Sequence, residues 1–332
     1  MWRYGVGLFA VLCALSLPAN GRAQVLPFID AISGFSLGTV EIQPSVKVGY
    51  QDMAVNINLP SFTGLEGNSL FAPSSLDFSL KDAGVWIGSV RVDLRRGAYS
   101  LFLSAEGNAG KAAHVFTPSE PYWAGFSQVE WRGSQLEWWS IGEGASVDIG
   151  MNAAAVGGFK AEHLSVRLEG PVDPTMAIQY EATLGDLYTG DLRTKLWVPY
   201  VGLRVDGLDS RATLIFSPYA WADVTIPFRY FFYGPPFYPW FAFEDARYTF
   251  NPGGIFLEGN FDYLVRASES VSCTLWFKGS WCQIRGRGAE DYRLDVIDPA
   301  GFPLFSGGIL QSLDGSFASY VLAGGLSFLY TF

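Results

Sequence analysis

The sequence predicts an all-β chain, a transmembrane antiparallel up-and-down β-barrel of about twelve strands, with roughly ten to fourteen compatible. Three observations carry that expectation. Many segments alternate apolar and polar residues with period two, several over runs longer than ten residues. Beyond residue 23 no stretch approaches the ~18 consecutive apolar residues of a membrane-spanning helix. The chain also ends inside such an alternating segment, with Leu326, Phe328, Tyr330 and Phe332 on one face. Composition agrees. Of 332 residues, 49% are apolar, 16% aromatic and only 16% charged, well below the ~25% charge of a soluble domain. That apolar content excludes intrinsic disorder, and the scarcity of Lys and Glu excludes a coiled coil. The 38 Gly and 18 Pro argue against a mainly helical protein. A net charge of −10, from 22 basic and 32 acidic residues, excludes a general nucleic-acid binder.

The first element is an address. Residues 1–23 place Arg3 before an apolar run from Val6 to Leu17 and end with small residues at Gly21 and Ala23. This is a secretory signal peptide cut after Ala23, too short and too early interrupted by Pro18, Asn20 and Arg22 to span a membrane. Residues 24–43 form an N-terminal segment, a short helix, a plug or disorder, and the barrel occupies 44–332.

The strands follow in order. Tight-turn signals stand at Arg95-Arg96-Gly97, Gly133-Ser134, residues 170–174, residues 206–209 and residues 268–270. Longer irregular stretches lie between them, at 60–82, 108–124, 151–158, 186–193, 230–252 and 288–317. Turns on the side of the termini and loops on the other then join strands at 44–59, 83–95, 98–107, 125–133, 135–150, 159–169, 175–185, 194–206, 210–229, 253–267, 271–287 and 318–332. In the first strand the apolar parity changes between Val46, Val48, Tyr50 and Met53, Val55, Ile57, which suggests a bulge near Asp52. Elsewhere one apolar face meets lipid and one polar face lines the lumen. Trp86, Val90, Val92 and Leu94 oppose Ser89, Arg91 and Asp93, and Leu164, Val166 and Leu168 oppose His163, Ser165, Arg167 and Glu169. The expected lumen residues are Arg91, Asp93, Glu106, Arg167, Glu169, Glu181, Arg204, Glu258 and Asp262, with Lys278 a further candidate. Charges of both signs there require water or ion-pair networks.

The terminal alternation ending in Phe332 resembles the C-terminal signature of Gram-negative outer-membrane β-barrel proteins. The resemblance implies that Phe328, Tyr330 and Phe332 form an assembly signal read by the barrel assembly machinery. It also implies residence in the outer membrane, in contact with its lipid and lipopolysaccharide.

The chemistry-bearing residues are few. Residues 228–243 contain ten aromatics broken by Pro235, Pro236 and Pro239, read as an outer loop. Phe231, Phe232, Phe237, Tyr238 and Trp240 would anchor at the bilayer boundary or gate the mouth. His163-Leu164-Ser165 resembles the His-x-Ser spacing of outer-membrane phospholipase A, and lipid A deacylases carry a similar pair. The phospholipase continues with Asn and Gly where Val166 and Arg167 stand here. With His163 and Ser165 on the lumen side, they form a polar stripe and cannot reach a bilayer lipid. Neither histidine, His114 nor His163, lies in the acid-rich motif of omptin-type proteases. No phosphate loop, zinc spacing or GxSxG motif is present, so neither a cofactor nor a metal is expected. Cys273 and Cys282 on one continuous strand stand ~30 Å apart and cannot bond. A turn at Lys278-Gly279-Ser280 would bring them together. The functional expectation is a non-enzymatic small-solute channel or uptake pore. The alternatives are a lipid hydrolase at His163 and Ser165 and a closed structural or surface-interaction barrel.

Overall fold

The computed structural model describes residues 40–59, 76–108, 115–116, 132–169, 189–234, 238–267, 271–298 and 300–330. The signal peptide, residues 24–39, Glu181 and Phe332 lie outside them. The strands are β1 (Glu41–Leu59), β2 (Leu76–Arg96), β3 (Tyr99–Asn108), β4 (Val115–Phe116), β5 (Arg132–Gly150) and β6 (Ala153–Glu169). They continue as β7 (Thr189–Asp206), β8 (Ser210–Gly234), β9 (Tyr238–Phe250), β10 (Gly254–Ala267), β11 (Val271–Ile297) and β12 (Pro303–Tyr330). The first strand starts at Glu41, slightly before the expected boundary. All twelve belong to one antiparallel sheet, and it closes because β1 pairs with both β2 and β12. The fold class is the expected all-β up-and-down barrel.

The strands are distributed differently from the sequence expectation. The short β4 pairs with Ser79 and Leu80 of β2, beyond the stretch that β3 occupies. Strand β9 lies between β8 and β11, and β10 lies between the same two strands nearer the termini. Twelve strands therefore fill ten positions around the ring. Gly133 and Ser134 do not turn the chain; they sit in β5, where the register slips between Gly133 and Gln135. The turn occurs at Met151-Asn152, on the rim that carries the chain ends, and residues 153–158 begin β6 rather than forming an outer loop. Strand β6 then reaches the far rim at Glu169, and the expected turn at 170–174 lies outside the described residues. The physical reason is that a Gly-Ser pair marks local backbone freedom, which a long strand absorbs as a bulge. Gly97 (φ 59°) does make its expected turn, a conformation that suits glycine, and the turn at 207–209 is also observed.

The expected loops at 230–252 and 288–317 are mostly strand. β8 and β9 pair from Asp223↔Thr249 to Gly234↔Tyr238, and β11 and β12 pair up to Ile297↔Pro303. Pro239 is tolerated because it lies past Phe241, where the pairing of β9 with β11 stops, so its missing N–H faces an unpaired side. With 27 and 28 residues, β11 and β12 outreach the 10-residue β3, and one side of the barrel stands as a tall wall at the far rim.

Strand β1 shows how the wall is layered. Its odd positions face inward throughout, and its register with β12 is unbroken. Val46, Val48 and Tyr50 point outward and are 44–49% exposed, whereas Met53, Val55, Ile57 and Leu59 point inward and are buried. No bulge in β1 causes the change. The environment outside the wall changes instead. Near the termini the outward positions are apolar, as in Trp86, Leu203, Phe261 and Phe277, and the inward ones polar. Toward the far rim the outward positions are polar, as in Asp52, Asn56, Glu137 and Arg193, and the inward ones apolar. The one slip belongs to β2, between Met53↔Ala83 and Val55↔Leu80, and it keeps both Leu80 and Ala83 inward. Aromatic pairs mark the upper border of the apolar belt: Tyr50 edge-on to Trp86 at 5.7 Å, and Trp197 stacked on Trp221 at 6.3 Å.

Candidate functional site

The lumen divides into three tiers. The first, on the terminal side, is a polar cavity of about 560 Å³. Arg91 holds Asp93 through two hydrogen bonds (2.7 and 2.8 Å) and lies over the Phe102 ring at 4.2 Å. Lys47 reaches across to Asp262 at 2.8 Å. Arg204 contacts Asp206 at 3.0 Å and Asp148 at 3.3 Å, while Arg211 also holds Asp206 at 2.7 Å. Each of these cations has an acidic partner, so the cavity is wet but electrically balanced.

The second tier is an ionic layer at mid-height. Lys160 donates to Glu162 (2.6 Å) and to Glu258 (2.5 Å), and Asn260 donates to the other Glu258 oxygen at 2.8 Å. Lys278, on β11, pairs with Glu106 of β3 and lies 5.2 Å from the ring centre of Trp138 on β5. By ring order β11 and β5 stand diametrically opposite, so one lysine side chain bridges the lumen. Lys160, Glu258 and Lys278 are 5–7% exposed, and such buried charges persist only when paired and hydrogen-bonded.

The third tier is apolar. Met53, Val55, Phe317 and Val321 from β1 and β12 meet Trp138, Leu164 and Leu196 from the opposite wall around a void of only about 20 Å³. Phe250 packs edge-on to Tyr248 at 4.6 Å, and the Tyr248 hydroxyl donates to the Leu313 carbonyl at 2.5 Å. Burial pushes that phenol up to about 12, so it stays a neutral donor. Full burial of each large side chain contributes roughly 1.5–3 kcal/mol, and these side chains form one packed cluster across the lumen at this height.

Of the expected lumen residues, Arg91, Asp93, Glu106, Arg204, Glu258 and Asp262 line this interior, joined by Lys278. Arg167 does not; it is exposed on the outer surface, because β6 presents its even positions inward. The expected orientation of that strand is thus reversed. Leu164 and Val166 are buried in the barrel (4% and 0% exposed), and His163 and Ser165 face outward. Glu169 belongs to β6, and only its backbone is described. Lys160 and Glu162 are not among the expected lumen residues because they share the Leu164 face, whose apolar alternation resembles a lipid-facing one. A usable signal was present: a lysine and a glutamate at the start of that face are incompatible with hydrocarbon.

His163 and Ser165, though outward, make no hydrogen bond with each other among the described residues. The imidazole lies against Trp139 with ring centres 5.2 Å apart, and its Nδ1 has no partner there. No base–nucleophile couple is assembled. In the aromatic segment, Phe231 pairs with Phe241 and Phe232 with Trp240 along the β8–β9 ladder, while Tyr238 opens β9 opposite Gly234. These positions lie well beyond the Trp197–Trp221 border, so the upper aromatic belt is built elsewhere; Phe237 lies outside the described residues. Cys273 and Cys282 both sit on β11 as free thiols. Phe328 is outward and 43% exposed, and Tyr330 ends β12.

No protein-family model matches the chain, and no curated protein matches it in sequence. Among solved structures it is similar to the outer membrane protease OmpT from Escherichia coli, at 12% identity and a TM-score of 0.53, covering 88% of this chain and 97% of that one. A Pseudomonas aeruginosa FadL homologue (11% identity, TM-score 0.30) and the P. putida toluene transporter TodX (8%, 0.32) each cover 88% of this chain and 90% of theirs. The likeness to OmpT shows the fold, that of an outer-membrane β-barrel.

Proposed function

We propose that this barrel is a closed surface-interaction protein whose working part is the wall and loops beyond the outer leaflet, rather than an open small-solute channel. The observation that carries this reading is the double seal. Lys278 crosses the lumen to Glu106 and Trp138, and above it side chains from opposite walls leave a void of about 20 Å³. A void of that size accommodates one water at most. In this reading the paired charges are struts that hold a narrow barrel open against collapse, and the polar cavity is their solvated periplasmic vestibule. Outer-membrane lipid and lipopolysaccharide meet the belt, and the assembly machinery meets the last strand. Planar-bilayer recording of the purified protein tests the proposal. The expected result is no stable conducting state, and reproducible ohmic single-channel steps would overturn it. No described residue pair supports the hydrolase alternative.

A further inference from the structure

We infer that Glu143, on the outer face of β5, marks a lateral docking site for a membrane-embedded segment of another protein, one that brings a lysine or arginine to this carboxylate. The inference rests on the reading that the belt meets lipid, and it is independent of whether the lumen conducts.

One observation of charge and one of shape carry it. Strand β5 turns its even positions inward: Trp138 belongs to the apolar tier, and Ser140 and Ser146 line the polar cavity. Its register with β3 and β6 is unbroken on both sides of Glu143, so this side chain points outward, and it is exposed. Its place is inside the apolar belt. Outward Val147 and Ile149 follow it toward the terminal rim, Trp139 precedes it toward the far rim, and its cross-strand neighbours are Leu103 and Phe159. The Tyr200 hydroxyl donates to its main-chain carbonyl at 3.3 Å. The carboxylate itself, unlike the acids of the ionic layer, has no ion pair among the described residues. A carboxylate facing hydrocarbon is costly, and residues of this kind mark functional sites.

The surface beside Glu143 is a trough. The outward positions of β6 from Ala153 to Gly157 are Ala, Ala and Gly. The flanking strands raise exposed Val147 and Ile149 on one side and exposed Val201 and Leu203 on the other. The trough runs about 13 Å along the strand, and Phe159 heads it next to Glu143. Small residues let a neighbouring backbone approach closely, and a basic side chain laid along this trough ends at the carboxylate. Free cations and lipid headgroups stay at the two surfaces of the hydrocarbon layer. A cation at this depth has to arrive on a chain that itself spans the layer. A second copy related by a two-fold axis brings another Glu143 rather than a cation. The occupant is therefore a transmembrane segment of a different protein, with Lys or Arg within the hydrocarbon layer.

Photocrosslinking in the cells that produce the protein tests the site. Benzoylphenylalanine at Ala155, in the trough, should give an adduct that the same probe at Leu326, on the opposite wall, does not give. The adduct should map to a membrane-spanning segment of another protein, next to a Lys or Arg, and Glu143→Gln should lower its yield at least about tenfold. No adduct from Ala155, an adduct between two copies, or a yield that Glu143→Gln leaves unchanged would each overturn the inference. Urea unfolding of the purified barrel in vesicles gives a second readout. Without the partner, Glu143→Leu should raise the midpoint, while Leu203→Arg should lower it. A lowered midpoint for Leu203→Arg beside an unchanged or lowered one for Glu143→Leu would overturn the inference alone. An unchanged midpoint for Leu203→Arg would overturn the lipid reading beneath it.

Discussion

Lys160 holds the lumen's charge balance. It is shared by Glu162 and Glu258 at 2.6 and 2.5 Å, and removing it leaves two buried carboxylates without the cation they share. Lys160→Met should therefore cost about 3–5 kcal/mol, while combining it with Glu162→Gln and Glu258→Gln should restore most of the loss. Urea unfolding of the refolded barrel measures both, and a triple variant as unstable as the single one would refute the strut role. On the same strand, Leu164→Gln places an amide in the apolar tier and should cost about 3 kcal/mol, whereas Ser165→Gln on the outer face should change stability by about 0.5 kcal/mol. Equal penalties would contradict the inward direction of the even positions.

At the scale of the element, a single strand such as β1 serves two solvents. Its lower half is dry outside and wet inside, its upper half the reverse, and one backbone alternation satisfies both. Two consequences can be measured. Leu203→Arg, outward in the belt, should cost ~2–4 kcal/mol in lipid, read from unfolding in vesicles. Excising residues 294–305 should leave heat-modifiable, membrane-inserted protein, because the ring is closed below them by β1–β2 and β1–β12 pairing. Failure of that shortened chain to assemble would mean the wall belongs to the folding core.

For the whole molecule, closure depends on the last strand finding the first, from Ser45↔Leu329 to Asn58↔Ser316. Leu326 and Phe328 present their apolar side chains outward along that seam, each 43% exposed. Deleting Phe332, the end of the alternating signal, should lower the amount of assembled barrel and leave protein degraded or trapped in the periplasm. Fractionation with a heat-modifiability assay reads this directly, and normal levels after deletion would remove the assembly role of the terminal aromatics.

The sequence by itself determined the class of fold, a strand-rich barrel, and several acids and bases of the lower lumen. Period-two alternation and a shortage of charge leave few other solutions, and Arg91, Asp93, Glu258 and Asp262 sit opposite apolar neighbours that lie in the belt. It did not determine which face of residues 159–169 is inside. An apolar–polar alternation reads the same whether the apolar side meets lipid or fills a core, and only the height of a residue along the barrel tells the two apart. That height is set by the turns, and Gly133-Ser134 and Met151-Asn152 exchange roles once strands of 19 and 17 residues pair across the sheet. The seal was hidden for the same reason. Lys278, Glu106 and Trp138 are distant in sequence, and only closure of the ring, through the pairing of β1 with β12, brings opposite walls within reach of one side chain.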